Sequence, residues 1–276
     1  MGTCLLGRTL VPDMQRDVSC RCWGDSRHMT FTEVGAAEVG TNPFSGPKGA
    51  RKSSVVYRSL KRQILLGILT PDSPITEQSL AAEFDCSQGT VREALLSLQE
   101  NGLVDRRGYQ GTYVTRTTDE EAAVLVRIRF NLECAGMERA VARATNCDCE
   151  RLRELATLYL TCRAERDVFA CTEVDRAFHM SIFQIADMPM LEPILQRTLI
   201  QLHRFVVSRH QGDILWDELK SDPHSEIVDA MVRREADCAQ RVLSDHIGLS
   251  LAKLAPEVHK TVFADDAMPH LPAVSA

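Results

Sequence analysis

The sequence predicts a mainly α-helical protein with two folded parts: an N-terminal unit of three short helices and a β-hairpin, then an all-α antiparallel bundle of about six helices. Two patterns support this fold class. Apolar residues recur at helical spacing from residue 55 to about residue 255. The exception is "LVDRRGYQGTYVT", in which two short alternating runs flank a glycine-containing turn. With 276 residues, the chain is long enough for two domains.

The predicted domain boundaries follow these patterns. Residues 53–116 form the first predicted domain, and residues 118–256 form the second. Residues 1–52 show no sustained period and end in "TNPFSGPKGARKSS", which is typical of a disordered extension. Residues 257–276 follow Pro256, which we expect to end the last helix, so a flexible tail is predicted there.

Composition and charge exclude several classes of protein. No apolar run approaches the ~20 residues that span a bilayer, and the apolar part of the N-terminus is too short for a secretory signal, so we expect a cytoplasmic protein. The ten cysteines are scattered, and their close pairs have C-x-C rather than C-x-x-C spacing, which argues against a zinc–cysteine site or a disulfide framework. The net charge of −6 gives no general attraction for nucleic acid, so any DNA contact must depend on a local arrangement.

The first domain is predicted from apolar spacing and capping residues. Gly67 and Pro71 end its first helix. Thr76 and Ser87 are residue types that cap the second and third helices, which the tight turn "DCSQG" separates. The expected core positions of the three helices are Val56, Leu60, Ile64 and Ile68; Leu80, Ala81 and Phe84; and Val91, Leu95 and Leu98.

Three helices followed by a hairpin form a winged helix-turn-helix, and the third helix has residue types that suit DNA recognition. Its N-terminal end, "SQGTVRE", would enter the major groove. Ser87 and Thr90 suit contacts to phosphate, aided by the helix N-terminus. Arg92 has the two-pronged side chain that fits O6 and N7 of guanine. Arg106 and Arg107 precede the wing turn, within reach of the DNA backbone or the minor groove. The alternative is a small packing module that makes no DNA contact.

The skeleton "TVREAL…L…GLV…G" lies within residues 55–115 and is specific. This stretch resembles the DNA-binding domain of GntR-type bacterial transcription regulators. The resemblance implies that the start of the third helix, Gln88 included, contacts an operator in double-stranded DNA. Gln88 and Gln78 stand where many members of the family have arginine, so we expect a lower affinity or a different operator sequence rather than a different class of protein.

The bundle is predicted from caps and periodicity. Thr118 and Glu121 form a capping box that begins a long helix. The expected inner stripe of that helix is Leu125, Ile128, Leu132 and Ala135. Asp148 and Asp222 are suited to cap later helices, and Pro189 is suited to the first turn of another. Short loops between consecutive helices are typical of an antiparallel bundle.

Three of the bundle helices carry polar residues on the stripe that should be buried. Asp175 and His179 lie one turn apart in "DRAFHMSIF", and His224 and His246 lie on two other helices. Each is a costly buried group without a partner. One explanation is four separate core residues, each with its own hydrogen bond. The other is a single divalent cation held by all four, since an Asp and a His at i, i+4 share one helix face. Carboxylate and imidazole together suit Zn, Ni, Co, Fe or Mn.

Residues 118 to about 255 resemble the FCD ligand-sensing domain of the FadR branch of GntR regulators. Metal-binding members of that branch have an Asp and a His four residues apart, followed by two His about 22 residues apart. Asp175, His179, His224 and His246 match this pattern. The resemblance implies a divalent metal ion, zinc foremost, whose open positions face an acidic effector.

Three further polar residues of the bundle have predicted roles. Arg129, in "RFNLE", is similar to the arginine of the family's R-x-x-L-E motif. It would either pair with an effector carboxylate through its two-pronged side chain or form a structural salt bridge with a neighbouring helix. His203 and His210 lie outside the family pattern, and we interpret them as ordinary polar or interface residues.

The sequence thus predicts a homodimeric transcription regulator, a repressor, whose operator affinity changes when a small carboxylate effector binds to the bundle. One alternative is a regulator in which the cation itself is the signal. Another is a metal-dependent hydrolase, because a three-His, one-Asp metal with an open position can activate water. No recognisable general base accompanies the four ligands, however, and a winged helix has no catalytic use, so we expect no enzymatic activity.

Overall fold

The computed structural model describes residues 51–107, 111–210 and 223–263, which are mostly helical. The N-terminal unit consists of α1 (Lys52–Leu65), α2 (Glu77–Glu83), α3 (Gln88–Glu100), and the antiparallel strands β1 (Val104–Arg106) and β2 (Thr112–Val114). The bundle consists of α4 (Asp119–Arg143), α5 (Asn146–Ala164), α6 (Val168–Ile185), α7 (Glu192–Arg209), α8 (Pro223–Val232), α9 (Ala236–Leu254) and α10 (Pro256–Phe263). The predicted fold class is confirmed, with seven described bundle helices instead of about six. Within these ranges, no helix is both long and apolar enough to cross a bilayer.

The N-terminal unit has the predicted caps and most of the predicted core. The side chains of Thr76 and Ser87 accept hydrogen bonds from backbone amides in the first turns of α2 and α3. The inner residues of α1 and α3 are almost fully buried: Val56, Leu60, Ile64, Val91, Leu95 and Leu98. Ile68 is 65% exposed, contrary to the prediction, because α1 has already ended and Gly67 turns the chain at a positive φ.

The long helix α4 has the predicted capping box of Thr118 and Glu121, but its predicted inner stripe is wrong. Three residues of that stripe are only partly buried and the fourth is exposed: Leu125, Ile128 and Leu132, and then Ala135. The buried face is displaced around the helix and includes Ala122, Val126, Arg129, Glu133, Met137 and Ala140. Arg129 and Glu133 lie in the middle of this face, so apolar periodicity does not identify it as the buried face.

Two helix starts differ from those predicted. Thr145 caps α5, and Asp148 lies three residues later, where its carboxylate accepts a hydrogen bond from the amide of Thr145. Both residue types occur in a capping box, so the sequence alone permits either assignment. The helix predicted to start at Pro189 begins only at Glu192, with Pro193 in its first turn, because the chain first reverses direction after α6. Asp222, the predicted cap of α8, lies outside the described residues.

The chain after Pro256 differs from the predicted flexible tail. Pro256 is the first residue of α10, which packs against α4 and α9. Val258 and Val262 are buried in the main apolar core of the bundle. The prediction failed because proline begins a helix as readily as it ends one. The rest of the predicted tail, 264–276, and the predicted extension up to residue 50 lie outside the described residues.

Helix α7 contributes to both parts of the protein. Ile200 completes the apolar core of the N-terminal unit. Next to it, Gln201 donates a hydrogen bond to the backbone carbonyl of Asn101 at 2.7 Å, and the guanidinium of Arg204 donates to the backbone carbonyl of Thr115. The N-terminal unit is therefore held on the bundle by apolar burial together with hydrogen bonds to its backbone.

A buried ion cluster forms a second contact between the two parts. Lys61 of α1 is 3% exposed, and its Nζ lies 2.6 Å from Glu173 Oε1 of α6. Arg176 donates to the other oxygen of Glu173 at 3.0 Å. Burial lowers the pKa of Lys61 to about 8, which leaves the ammonium charged at neutral pH. Burial alone would raise the pKa of Glu173, but Lys61 and Arg176 hold it at about 2. One carboxylate therefore pairs with two cations, the buried Lys61 and the half-buried Arg176, and the group keeps one net positive charge.

We expect Glu173→Gln to destabilise the protein strongly, because it leaves Lys61 and Arg176 buried without their counter-charge. Breaking a buried pair in this way typically costs about 3–5 kcal/mol. Thermal unfolding followed by circular dichroism would measure the loss. Glu154→Gln, at an exposed position of α5, is the matched control, and equal melting temperatures for the two variants would contradict the prediction.

Candidate functional site

The four polar residues predicted to hold a metal meet in the interior of the bundle. Asp175 and His179 lie one turn apart on the inner face of α6, His224 lies in the first turn of α8, and His246 lies in the middle of α9. One donor atom from each residue lies within 4.8 Å of the others, and all four residues are buried. The fold therefore brings donors from three helices to one point.

One oxygen of Asp175 faces the three imidazoles. Its Oδ1 lies 3.2 Å from His224 Nε2, 3.7 Å from His179 Nε2 and 4.0 Å from His246 Nε2. The Nε2 atoms of His179 and His246 are themselves 3.3 Å apart. Three ring nitrogens and one carboxylate oxygen thus converge, and this donor set is one that Zn²⁺ and other first-row transition ions accept.

The protonation of Asp175 and His246 and the hydrogen bonding of His224 fit a cation. Within the described part of the chain, both ring nitrogens of His224 and Nδ1 of His246 are buried without a hydrogen bond, although Asp175 Oδ1 lies 3.2 Å from Nε2 of His224. Such orphaned groups are costly, and a cation at the point of convergence would satisfy Nε2 of His224. Burial holds the pKa of His246 well below its usual range. Burial alone would raise the pKa of Asp175, but the neighbouring imidazoles, His179 foremost, hold it well below its usual range. Both residues are thus in the unprotonated form that binds metals.

A buried glutamate that the sequence analysis missed orients His179. Glu133 Oε2 lies 2.6 Å from His179 Nδ1, and because a carboxylate can only accept, Nδ1 donates. This hydrogen bond leaves the lone pair of Nε2 directed at the cluster, as in the carboxylate–histidine–metal arrangement of many metal sites. Glu133 is the last residue of "RFNLE" and lies one turn after Arg129, so its i, i+4 spacing was a signal that could have identified it.

His203 has a more specific position than the sequence analysis gave it. Its Nε2 lies 2.9 Å from Oδ2 of Asp175, the oxygen that does not face the three imidazoles. Burial lowers the pKa of His203, so the ring is neutral and its N–H donates to the carboxylate. This contact fixes the orientation of Asp175. His210, by contrast, donates to the backbone carbonyl of Leu254 at 2.8 Å, as an ordinary polar residue does.

Arg129 is buried beside the cluster, and its ion-pair partner lies on its own helix instead of on a neighbouring one. Its Nε donates to Glu133 Oε1 at 2.7 Å, and its Nη2 lies 2.9 Å from His179 Nε2. From the sequence, this residue could form either an effector contact or a structural salt bridge. The salt bridge is present, with Glu133, and the guanidinium also lines a cavity.

The cavity beside the cluster has a volume of about 390 Å³. Its polar wall includes Arg129, Asp175, His203 and His246. Much of the remaining wall is apolar and comes from α7 and α9, with Leu202, Val206, Val207, Val242, Ile247 and Leu251. A small molecule in this cavity would therefore contact the donor cluster and an apolar surface at the same time.

The residues predicted for phosphate contact lie at the start of α3. Ser87 and Gln88 are exposed, and Thr90 is half-buried. The hydroxyl of Ser87 caps the helix and lies 2.9 Å from the hydroxyl of Thr90. The N-terminus of α3 is therefore open to solvent and carries short polar side chains, which is the arrangement that phosphate contact requires.

The predicted base-contact and wing arginines have acidic partners. Arg92 Nε and Nη2 donate to the two carboxylate oxygens of Glu77, at 3.1 Å and 2.6 Å. Arg106 Nη2 donates to the same Glu77 at 3.0 Å. Arg107 is exposed, and its Nε donates to Asp105 at 2.9 Å. Glu77 has no feature in the sequence that indicates this role.

Comparison with known proteins identifies the class. Residues 52–114 match the family model described as bacterial regulatory proteins, gntR family, and residues 124–249 match the FCD domain. The fold and these matches define a DNA-binding transcription regulator. The chain belongs to the GntR family, with an FCD domain in its C-terminal half. This confirms the predicted resemblance and favours a DNA-binding domain over the alternative of a packing module.

Three similar proteins illustrate the relationship. The HTH-type transcriptional repressor RspR of Escherichia coli is 26% identical over 194 residues, which cover 70% of this chain and 84% of RspR. A probable D-xylose utilization operon transcriptional repressor of Paenarthrobacter nicotinovorans is 27% identical over 209 residues, covering 74% and 88%. The solved structure of E. coli McbR/YncC shares the fold, with a TM-score of 0.65 at 22% identity over 75% of this chain and 99% of that one. The family and these relatives are regulators and not enzymes, in agreement with the prediction.

We expect Glu133→Gln to weaken binding of Zn²⁺ to the cluster by about tenfold or more, because His179 loses the charged acceptor that orients its ring. Loss of such a partner typically costs 10- to 100-fold in metal affinity, roughly. Competition with a fluorescent zinc chelator would give the Kd. Glu138→Gln, at an exposed position of the same helix, is the control, and the same Kd for both variants would count against this role of Glu133.

Proposed function

We propose that the protein represses transcription and that a small carboxylate effector, bound beside a divalent metal in the bundle, controls its affinity for a DNA operator. The observation that carries this proposal is the buried Asp–His cluster with a cavity at its side. The names of two relatives support repression: one is a transcriptional repressor, and the other is a probable operon repressor.

The four residues of the cluster are the proposed metal ligands. Three imidazole nitrogens and one carboxylate suit Zn²⁺ foremost, with Ni, Co, Fe or Mn as alternatives. When bound, the cation would supply a Lewis-acidic position for an effector carboxylate. Glu133 fixes the ring of His179 and His203 fixes the carboxylate of Asp175, so both ligands are oriented in advance.

Arg129 is the proposed partner of the effector carboxylate. Its Nη2 donates to the lone pair of His179 Nε2, which is the atom proposed to ligate the metal. Arg129 therefore needs another acceptor when His179 is a ligand. A carboxylate in the adjoining cavity is suited to this, because a guanidinium can form two parallel hydrogen bonds with it. This exchange would make the binding of metal and effector depend on one another.

Helices α6 and α7 are the proposed connection between the cavity and the DNA-binding unit. On α6, Asp175 belongs to the cluster and Glu173, two residues earlier, pairs with Lys61 of α1. On α7, His203 contacts Asp175, and the next residue, Arg204, contacts the backbone that follows β2. A small shift of either helix on effector binding would be transmitted directly to the contacts that hold the N-terminal unit.

The DNA contacts proposed for the N-terminal unit follow from its exposed and half-buried polar residues. We assign phosphate and base contacts at the start of α3, and backbone or minor-groove contacts at the wing, to Ser87, Gln88, Thr90, Arg92, Arg106 and Arg107. A single winged helix covers one half-site. We propose a homodimer, because two copies related by a two-fold axis would bind two half-sites of one operator.

Loss of a metal ligand should leave operator binding intact but abolish its control by the effector. We expect His179→Ala and His246→Ala each to lower the metal content and the melting temperature, because the remaining polar groups stay buried and unpaired at a cost of about 1–3 kcal/mol each. Both variants should bind the operator normally but no longer release it when a panel of small mono- and dicarboxylates is added. Elemental analysis, thermal melts and operator titrations would measure the three effects.

His259→Ala is the control for these variants, because His259 lies on α10 outside the cluster. A full equivalent of metal in both ligand variants would show the ligand set to be wrong. Metal loss with unchanged release of the operator by carboxylates would show that the metal has only a structural role. Release of the operator by Zn²⁺ alone would favour the cation itself as the signal.

Arg92→Ala should reduce operator affinity by about 1–3 kcal/mol and relax the preference at one base pair in each half-site. The physical reason is the loss of a bidentate contact to guanine. Thr90→Ala should instead weaken binding to all sequences about equally, because a phosphate contact carries no sequence information. Competitive binding to duplexes with single-base changes would measure both, and an unchanged preference in Arg92→Ala would overturn the assignment.

A further inference from the structure

Glu77 joins three elements of the N-terminal unit through one carboxylate. It is the first residue of α2 and accepts hydrogen bonds from Arg92 of α3 and Arg106 of β1. Oε1 receives two donors, one from each arginine, and Oε2 receives the third. The hydrogen bond from Arg92 holds the pKa of Glu77 below its usual range, so the group is charged. An amide in this position would offer a single acceptor oxygen for three donors.

The hydrogen bonds from Arg92 to Glu77 use one edge of the guanidinium. That edge consists of Nε and Nη2. A second edge, formed by Nη1 and Nη2, presents two parallel N–H groups of the kind that match O6 and N7 of guanine. Because the guanidinium is planar and rigid, fixing the first edge also fixes the direction of the second. The side chain of Arg92 is 56% exposed, so DNA can reach the second edge while Glu77 holds the first.

A base contact by a basic side chain of α3 depends on this one arginine. Within α3, Gln88–Glu100, Arg92 is the only basic residue. An unsupported arginine side chain is flexible, and ordering it on binding costs conformational entropy. A partner that orders Arg92 before DNA arrives removes part of this cost and restricts which base the guanidinium can meet.

We propose that Glu77 is a positioning residue for DNA recognition, which holds Arg92 with one guanidinium edge directed to a guanine and holds Arg106 beside the wing. This inference rests on the proposed contact between Arg92 and guanine. Glu77 would not repel DNA, because the two arginines leave the group of three with a net positive charge.

The test measures base preference separately from overall affinity. A library of duplexes with a randomised segment is first selected with the full-length wild-type protein. The selected sequence and its single-base variants are then titrated with Glu77→Gln, Arg92→Ala and the double variant. Glu83→Gln removes the same charge from an exposed position of the same helix and is the matched control. Thermal melts show that each variant is folded.

We expect Glu77→Gln to lose preference at the base pair where Arg92→Ala also loses it. The expected loss is about fivefold or more, the fold-change that corresponds to the ~1 kcal/mol lower bound for a bidentate base contact. The double variant should be no less selective than Arg92→Ala, because both changes remove one interaction. Glu83→Gln should keep the wild-type preference.

Three other outcomes would overturn the inference. If Arg92→Ala loses preference and Glu77→Gln keeps it, Arg92 contacts the base without help from Glu77. If Glu77→Gln becomes more selective, Glu77 competes with the DNA for Arg92 instead of supporting it. If Arg92→Ala itself keeps the preference, the proposed guanine contact fails, and with it the role of Glu77.

Discussion

The buried carboxylate of Asp175 is the group around which the interior of the bundle is arranged. A buried charge is costly unless charged or hydrogen-bonding partners surround it. Imidazoles from α6, α8 and α9 face one of its oxygens, and His203 of α7 faces the other. Four helices must therefore meet at one point. Polar contacts fix those helices more strictly than apolar packing does, because a hydrogen bond tolerates little change in distance or angle.

Three glutamates organise the rest of the molecule in the same manner, each holding two basic side chains. Glu133 holds Arg129 and His179, Glu173 holds Lys61 and Arg176, and Glu77 holds Arg92 and Arg106. Glu133 lies at the proposed metal centre, and Glu173 lies between the bundle and the DNA-binding unit. Glu77 lies within the DNA-binding unit, where it joins α2 to α3 and β1. Charged contacts thus occur at each step between the cavity and the DNA, and their strength depends on geometry. Small helix displacements can therefore alter them.

Much of the fold could be predicted from the sequence, because the responsible interactions are local. Helical periodicity located the core of α1 and α3, and capping residues located the starts of α2, α3 and α4. The i, i+4 spacing of Asp175 and His179 indicated a shared face on one helix. Favouring one shared cation over four separate core residues needed the resemblance to a known family, because spacing along the chain does not fix how separate helices approach each other.

The sequence by itself determined the type and order of the helices and which residues are chemically able to bind metal or DNA. Only the tertiary structure decided which face of α4 is buried, that His203 contacts Asp175, that Glu77 holds two arginines and that the chain after Pro256 packs on the bundle. The physical reason is the same in each case. These features depend on contacts between elements distant in sequence, and a buried charge looks like a surface residue until its partner is in place.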